Sequence, residues 1–69
     1  MAVRLMSEKS ELVAVNGVTK FVGVVFADMK TDITDNMTID GDVLDFGSIA
    51  YTKDLEVATC DSTGHWNWV

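Results

Sequence analysis

The sequence has 69 residues, of which 48% are hydrophobic, and it carries a net charge of −6 with a pI near 4.3. This length allows one domain, and the acidic balance argues against nucleic acid or an anionic membrane as the main partner. With one cysteine and one histidine, the chain can form neither an internal disulfide nor a four-ligand zinc site, so we expect this small domain to gain stability by association with copies of itself or with another protein.

Residues 1–10 give a weak structural signal. Val3 and Leu5 flank Arg4, and residues 7–10 are polar, which fits either a short strand or an arm that reaches a neighbour. No apolar h-region follows Arg4, and no stretch approaches the roughly 18 apolar residues of a membrane span, so we predict neither a signal peptide nor a transmembrane helix. The single unpaired cysteine is typical of a protein made in a reducing cytoplasm.

The clearest local signal is Asn16-Gly17 between two β-rich runs, residues 11–15 and residues 18–22. Both turn residues tolerate positive φ, and the resulting type I′ turn has a twist that matches the flanking strands. The sequence therefore predicts a β-hairpin at this point.

The run of residues 21–26 is apolar throughout, with Gly23 in its middle. Such a run is typical of a strand covered on both faces, and two interpretations stay open: a subunit interface, or a central strand in a closed barrel-like sheet. The glycine predicts a bulge or a close approach of the backbone to another group. The candidate interface residues come from this run and from the N-terminal segment: Phe21, Val22, Val24, Val25, Phe26, Val3 and Leu5.

Residues 27–36 form the only stretch with a helical pattern. Met29 and Ile33 are one helical turn apart, and Asp28 can cap a short turn that contains them. We expect no more than a turn or two of helix here.

Six aspartates lie between Asp28 and Asp45, which raises the question of a calcium site. When Gly41 is set at the sixth position of an EF-hand loop, Gly47 stands where the bidentate glutamate is required. We therefore interpret the segment as a solvated acidic loop, with a turn at Asp40-Gly41-Asp42, and a weak cation site there stays open.

Residues 47–69 are predicted to form three strands joined by two turns. The alternation of the first strand places Ile49 and Tyr51 on one face, and Lys53-Asp54 is the first connector. The second turn is Asp61-Ser62-Thr63-Gly64, since the aspartate can bond the backbone two residues on and the glycine supplies positive φ at the exit.

The last strand carries Trp66 and Trp68 on one side, and the benefit of burying two indoles leads us to expect a C-terminus tied into the sheet. The large apolar residues of the three strands are expected to anchor the core: Ile49, Tyr51, Leu55, Val57, Trp66 and Trp68. Sugar stacking by the two tryptophans is the alternative to core packing.

These patterns predict a mainly β fold, a small antiparallel sheet or barrel-like domain of hairpins with at most one short helical turn. Residues 1–69 are expected to form this single β-rich domain, with residues 1–10 as its strand or arm. The glycines are isolated and form no phosphate-binding loop, and Cys60 with His65 lacks the third group and the pocket that a nucleophile and its base require. We therefore predict that the protein is not an enzyme and uses no metal and no cofactor.

The segment Gly47-Ser48-Ile49-Ala50-Tyr51-Thr52, followed by a charged turn, a strand, Asp61-Ser62-Thr63-Gly64 and the tryptophans, resembles the small virion proteins of tailed bacteriophages. Head-fibre and capsid-decoration proteins of this group have a Gly-Ser-x-Ala-Tyr-Thr strand that leads to a further strand and a Gly-x-Trp closing hairpin. Val15-Asn16-Gly17-Val18 before an apolar strand and Phe26-Ala27-Asp28 before the middle loop are also similar. The resemblance covers most of the chain, and its motifs are structural rather than catalytic.

The resemblance implies a non-enzymatic virion structural protein, made in the host cytoplasm, that assembles as a symmetric oligomer with contacts to its own copies and to the major capsid protein. Members of the group often carry a longer fibre-forming extension, and the sequence ends at Val69, so we expect a compact surface or connector piece. A neck or tail component is the nearest alternative. A ligand-binding module that uses Trp66 and Trp68, and a small acidic inhibitor that mimics nucleic acid, are the other hypotheses.

Overall fold

The computed structural model describes residues 3–69 and is mainly β, as the sequence predicts. Its strands are β1 (Val3–Leu5), β2 (Ser10–Val15), β3 (Val18–Val22), β4 (Val24–Ala27), β5 (Thr38–Ile39), β6 (Asp42–Leu44), β7 (Ile49–Thr52), β8 (Val57–Cys60) and β9 (Trp66–Trp68). One 3-10 turn, Lys30–Asp32, follows β4 and is the only helical element in the described part of the chain. The first two residues of the predicted N-terminal strand or arm lie outside the described residues.

The strands form two sheets. The five-stranded sheet has the order β1-β4-β7-β8-β9, and the four-stranded sheet has the order β2-β3-β6-β5. The predicted hairpins are present as antiparallel pairs, β2 with β3, β7 with β8 and β8 with β9. Two other pairs, β3 with β6 and β4 with β7, are parallel. Parallel neighbours cannot be joined by a tight turn, so no local motif in the sequence marks these two pairs.

The apolar run of residues 21–26 passes from one sheet to the other. It is divided between β3 and β4, so it is not the single strand, covered on both faces, that its pattern predicts. Gly23 lies at the crossing, where an added Cβ would meet Leu5 Cδ1 and Phe21 Cε2 at 3.0 Å each. The predicted close approach at this glycine is therefore confirmed, because a larger residue would displace the two side chains.

A second crossing, between β6 and β7, runs beside the first. The Asp45 N–H donates to Phe21 O at 2.8 Å, and the Ile49 N–H donates to Gly23 O at 3.1 Å. Between these bonds, the buried Ser48 hydroxyl accepts the Gly23 N–H at 3.2 Å and donates to Phe21 O at 3.5 Å. One serine side chain therefore fills the gap in the ladder where both strands change sheet.

The Asn16-Gly17 hairpin has the predicted turn. The residues that flank the turn pair directly, and Asn16 and Gly17 have φ of 51° and 80°, the positive values that a type I′ turn requires. Asp40 and Gly41 repeat this geometry between β5 and β6, with φ of 52° and 86°. The turn predicted around Gly41 is therefore also confirmed.

The buried core draws on both sheets. The five-stranded sheet contributes several alanines, because the bulky side chains of Phe21, Leu44 and Trp66 occupy the interior. The buried hydrophobic residues of the described chain are Phe21, Val25, Ala27, Ile33, Leu44, Ala50, Ala58, Cys60 and Trp66.

The orientation of β7 is opposite to the prediction. Ala50 and Thr52 are fully buried, whereas Ile49 is 40% exposed and Tyr51 is half-buried. Ile49 and Tyr51 therefore point outward and do not anchor the core. The alternation itself is present, but the pairing register, rather than residue size, decides which set of side chains faces inward.

The predicted anchors Leu55 and Val57 also lie outside the core. Leu55 is 84% exposed with φ of 63°, and Val57 is 39% exposed. The Leu55 N–H donates to the backbone oxygen of Thr52 at 2.9 Å, so the turn after β7 ends in a left-handed residue. After this turn, Ala58 and Cys60 occupy the inward positions of β8.

The C-terminal strand is tied into the sheet, as predicted. β9 pairs with β8, and the Val69 N–H donates to Val57 O at 2.9 Å. Trp66 is buried, and Trp68 is half-buried and packs against the core, so the two indoles share one side of the strand.

The middle loop contains its short helical turn close to the predicted place. The turn Lys30–Asp32 follows Met29, and Asp28 is exposed and does not cap it. Asp32 Oδ2 accepts the Met29 N–H at 3.2 Å, so the carboxylate that stabilises the start of the turn comes from its end.

Candidate interaction surface

The outward side of the five-stranded sheet is apolar and aromatic. The pairing register places Arg4 opposite Phe26, Phe26 opposite Tyr51, and Tyr51 opposite Val57, all on the side away from the core. We call this surface the aromatic face, and it consists of Arg4, Val24, Phe26, Ile49, Tyr51, Val57, Thr59 and Asn67.

The rings on the aromatic face contact each other. Phe26 and Tyr51 meet edge to face, with centroids 5.2 Å apart and an interplanar angle of 73°. The Arg4 guanidinium lies 5.4 Å from the Phe26 centroid. An edge-to-face pair contributes about 0.5–1.5 kcal/mol beyond its burial, and an exposed cation–π contact about 0.5–1 kcal/mol. These contacts hold the three side chains in one arrangement, which preorganises the face for contact.

The aromatic face contains no acidic residue, although the whole chain has a net charge of −6. Its single charge is that of Arg4, on the edge strand β1. Aromatic residues and arginine are enriched at the cores of protein interfaces, whereas Asp, Glu and Lys are depleted. The face therefore has the composition of an interface, and the Asp61 carboxylate at its border accepts a hydrogen bond from Asn67 Nδ2 at 3.0 Å.

A second exposed apolar surface is the β2–β3 hairpin, residues 10–22, which we call the valine hairpin. Every residue of β2 is exposed, and Leu12 is 59% exposed. Val13, Val15 and Val18 share the side of the hairpin opposite the core and are 48%, 49% and 42% exposed. Because β2 is an edge strand of its sheet, part of its backbone is also available for pairing.

Four of the predicted interface residues belong to the interior or to its margin. Phe21 and Val25 are fully buried, so they cannot contact a partner, and their assignment to an interface is wrong. Val3 and Leu5 are half-buried and pack against the core from β1. Of the N-terminal segment, residues 3–5 therefore form a strand of the five-stranded sheet.

The other three predicted interface residues stay near the surface. Val24 and Phe26 lie on the aromatic face, and Val22 is half-buried on the side of β3 opposite the core. The sequence reasoning missed Ile49 and Tyr51 as surface residues because it assigned the larger set of an alternating strand to the core. The alternation itself was the available signal, and it does not say which face is buried.

The two tryptophans do not form an exposed pair. Trp66 is 4% exposed, and its Nε1 donates to Thr34 O at 3.0 Å, which fastens the middle loop to β9. Lys30 Nζ lies 5.2 Å from the Trp68 ring centroid and forms an ion pair of 2.8 Å with Glu56. The stacking platform that a ligand-binding role for these residues requires is therefore not presented.

Asp61 organises the turn before β9. Its Oδ1 accepts the Thr63 hydroxyl at 2.7 Å, the Thr63 N–H at 2.9 Å and the His65 N–H at 3.1 Å, and its Oδ2 accepts Asn67 Nδ2 at 3.0 Å. The bonds from the Thr63 and Asn67 side chains hold the pKa of this carboxyl well below its usual range. Gly64 has φ of 86° and donates its N–H to Asp61 O at 3.1 Å, which confirms the predicted turn.

Cys60 and His65 are not arranged as a nucleophile and its base. The Cys60 thiol is buried, and its polar neighbours are the backbone oxygens of Leu44 at 3.8 Å and Asp61 at 3.6 Å. Burial, and then the charge of Asp61, raises the pKa of the Cys60 thiol, so it is protonated at neutral pH and a poor nucleophile. His65 is exposed, with its Nδ1 at 3.1 Å from Asp35 Oδ1.

Other features of residues 3–69 point to no particular chemistry. Within that range, no three His, Cys, Asp or Glu side chains are grouped closely enough to hold a metal ion. The described chain has no helix with the length and apolar character needed to cross a membrane. Comparisons with protein-family models, with curated proteins and with solved structures find no match to this chain. The aromatic face and the valine hairpin are therefore the features from which a function can be inferred.

Proposed function

We propose that this protein is a non-enzymatic structural protein of a bacteriophage virion, a small head decoration or fibre-type protein that assembles as a symmetric oligomer on the capsid. The observation that carries the proposal is the aromatic face, an apolar sheet surface without acidic residues on a small acidic domain. The partners are copies of the chain and other virion proteins, with the major capsid protein first among them. The protein is made in the host cytoplasm and resides in the virion.

Covering the aromatic face would stabilise a domain of only 69 residues. Ile49 is 40% exposed and Val57 39%, and full burial of such side chains contributes roughly 1.5–3 kcal/mol, so each would gain about 1 kcal/mol on contact. Small domains are marginally stable alone, and neighbours that bind the folded form stabilise it by mass action. A role in an assembly accounts for the exposed sheet.

The resemblance to small phage virion proteins falls on the same surface. Its Gly-Ser-x-Ala-Tyr-Thr segment contains β7, the central strand of the five-stranded sheet, which supplies Ile49 and Tyr51 to the aromatic face. Its closing hairpin contains β9, at the edge of the same sheet. The motif that suggests a virion therefore also builds the surface that suggests assembly, and this supports the proposal.

A protein that forms an oligomer on a capsid needs one surface for its copies and another for the shell. The aromatic face and the valine hairpin belong to different sheets, and the molecule is elongated, with extents of 35 × 22 × 17 Å. One chain can therefore contact a copy through one sheet and a shell protein through the other.

Quantifying the chain in purified virions, and then in separated heads and tails, tests the proposal. We expect the chain in heads, at a copy number set by the symmetry of the capsid lattice. The copy number of a single ring would instead assign it to the neck or tail. Absence from the virions of a phage that encodes the chain would refute the proposal.

Paired threonine substitutions test the two surfaces separately, since threonine keeps the β-branched shape but adds a hydroxyl. Ile49→Thr with Val57→Thr makes the aromatic face polar, and Val13→Thr with Val15→Thr does the same to the valine hairpin. Met29→Thr, at a residue of the middle loop that is 56% exposed and outside both surfaces, is the control. Occupancy of virions should fall for at least one surface variant and not for the control, with folding checked by circular dichroism. Equal occupancy for all variants would contradict a role for these surfaces.

A further inference from the structure

We infer that the aromatic face binds the aromatic face of a second copy, about a two-fold axis that runs parallel to the strands over β7. In this arrangement β7 of one copy lies over β7 of the other, and β1 of each copy lies over β9 of the other. The inference rests on the proposed function, because it specifies which surface joins the copies and in which orientation.

Charge favours a second copy as the occupant of this face. Arg4 gives the face a charge of +1, which leaves −7 on the rest of a chain whose total is −6. Two copies that met through their acidic loops would bring like charges together at short range, where they repel. Two copies that meet through the aromatic face oppose apolar side chains and keep the acidic loops on the outside.

The position of Arg4 selects the orientation of the axis. Arg4 lies on the edge strand β1, and strands spaced about 4.8 Å apart place this edge roughly 19 Å from β9. With an axis parallel to the strands, the two guanidinium groups lie at opposite edges of the interface. The distance between them then exceeds the Debye length of about 8 Å. An axis across the strands would instead bring both guanidinium groups to the same edge, where they repel.

Side-chain size is complementary in the same orientation. Phe26 and Val57 lie on opposite sides of Tyr51 in one row of paired residues. The two-fold axis over β7 therefore sets the large Phe26 of each copy against the smaller Val57 of the other. Ile49 and Tyr51 lie on the axis and meet their own equivalents. Face-to-face sheets about 10 Å apart interdigitate side chains in this way.

The size of the face predicts a weak pair. Five strands with about four residues each cover roughly 24 × 13 Å, or about 300 Å² per copy, from the usual strand spacing and rise. Stable specific interfaces bury about 800 Å² per partner. The pair should therefore form only partly in free solution and more completely where copies are held close together, as on a shared surface.

Thiol cross-linking tests the position of the axis. The native Cys60 is buried and should not react with the reagent, so any coupling comes from an introduced cysteine. Ile49→Cys places a thiol near the proposed axis, and Arg4→Cys places one at the edge of the sheet. A bifunctional thiol reagent that spans about 10 Å, the spacing of packed sheets, should couple Ile49→Cys into a covalent dimer. The same reagent should leave Arg4→Cys and the unsubstituted chain as monomers.

Sedimentation equilibrium over a range of concentrations gives an independent measurement. Ile49→Asp places two carboxylates opposite each other across the axis and should weaken self-association about tenfold or more. Val13→Asp adds the same charge to the valine hairpin and should leave self-association unchanged. Circular dichroism of both variants checks that they fold.

Other results would contradict either the inferred dimer or the proposed function. Coupling of Arg4→Cys in place of Ile49→Cys would overturn the parallel axis. Self-association that is insensitive to Ile49→Asp, or a chain that is present in virions yet monomeric at every concentration, would overturn the inference and leave the proposed function standing. Absence from virions would overturn the proposed function even if the dimer forms.

Discussion

Leu55 is the position where one substitution should make the protein more stable. It has φ of 63° in the turn between β7 and β8, and its side chain is 84% exposed. The left-handed conformation costs a residue with a Cβ roughly 1–2 kcal/mol. Because so little of the leucine is buried, its replacement removes no more than about 0.5 kcal/mol of hydrophobic stabilisation.

Residues that differ in their tolerance of positive φ should therefore rank in a defined order at this position. Asparagine tolerates the left-handed region without the extra unfolded-state entropy of glycine, so Leu55→Asn should raise the free energy of unfolding by about 0.5–1 kcal/mol. Leu55→Gly should be close to neutral, because the entropy of glycine offsets the relief by about 0.5–1 kcal/mol. Leu55→Val should lower stability by about 1 kcal/mol, because a β-branched residue is an outlier at positive φ.

Thermal unfolding followed by circular dichroism measures this order. A change of 1 kcal/mol shifts the Tm of a domain of this size by about 4–8 °C, so the asparagine and valine variants should differ by roughly 6–16 °C. All variants must be compared at one protein concentration, because self-association also raises Tm. Equal Tm values for the asparagine and valine variants would show that Leu55 is not left-handed in solution.

Other substitutions test the core and the C-terminal turn. Thr52→Val should raise the free energy of unfolding by about 1 kcal/mol in urea, because the buried Thr52 hydroxyl has no hydrogen-bond partner within the described structure. The same change at the exposed Thr38 is the control, and a loss of stability for Thr52→Val would indicate a partner for the hydroxyl. Gly23→Ala should lower stability by about 1–3 kcal/mol, because its Cβ would lie 3.0 Å from Leu5 Cδ1, and an unchanged urea midpoint would contradict this tight crossing. Because the pKa of Asp61 is lowered in the folded chain, the unfolded chain binds more protons than the folded chain in acid. The ionised Asp61 carboxylate therefore stabilises the fold above about pH 4, and this stabilisation is lost as pH falls further. Unfolding in urea from pH 5 to pH 2 should show this loss in the natural sequence and a smaller loss in Asp61→Asn, and parallel curves would argue against it.

The turns could be predicted from the sequence because their chemistry is local. Asn16-Gly17 has positive φ at both residues, and Asp61 bonds the backbone two residues on, as the residue types predict. In each case the side chain and the backbone that it controls are within a few positions of each other. No information about distant parts of the chain is needed.

The candidate surface could be predicted only in part. Val24 and Phe26 stand out as members of an apolar run, whereas Ile49 and Tyr51 appear from their size to be core residues. The structure places all four on the aromatic face, because β4 and β7 pair in a register that turns Val25 and Ala50 inward. Size alone misassigns the second pair, since small residues are what the interior beside Phe21 and Trp66 can accommodate.

The sequence by itself determined the mainly β class, the positions of the tight turns and the acidic character of the chain. Only the tertiary structure decided that residues 21–26 cross between two sheets at Gly23 and that Ile49 and Tyr51 face outward. The physical reason is that an alternating strand has two geometrically equivalent sides. The choice between them is made by a partner strand, and in the parallel pair of β4 with β7 that partner, Ile49 beside Val24, lies far away in sequence.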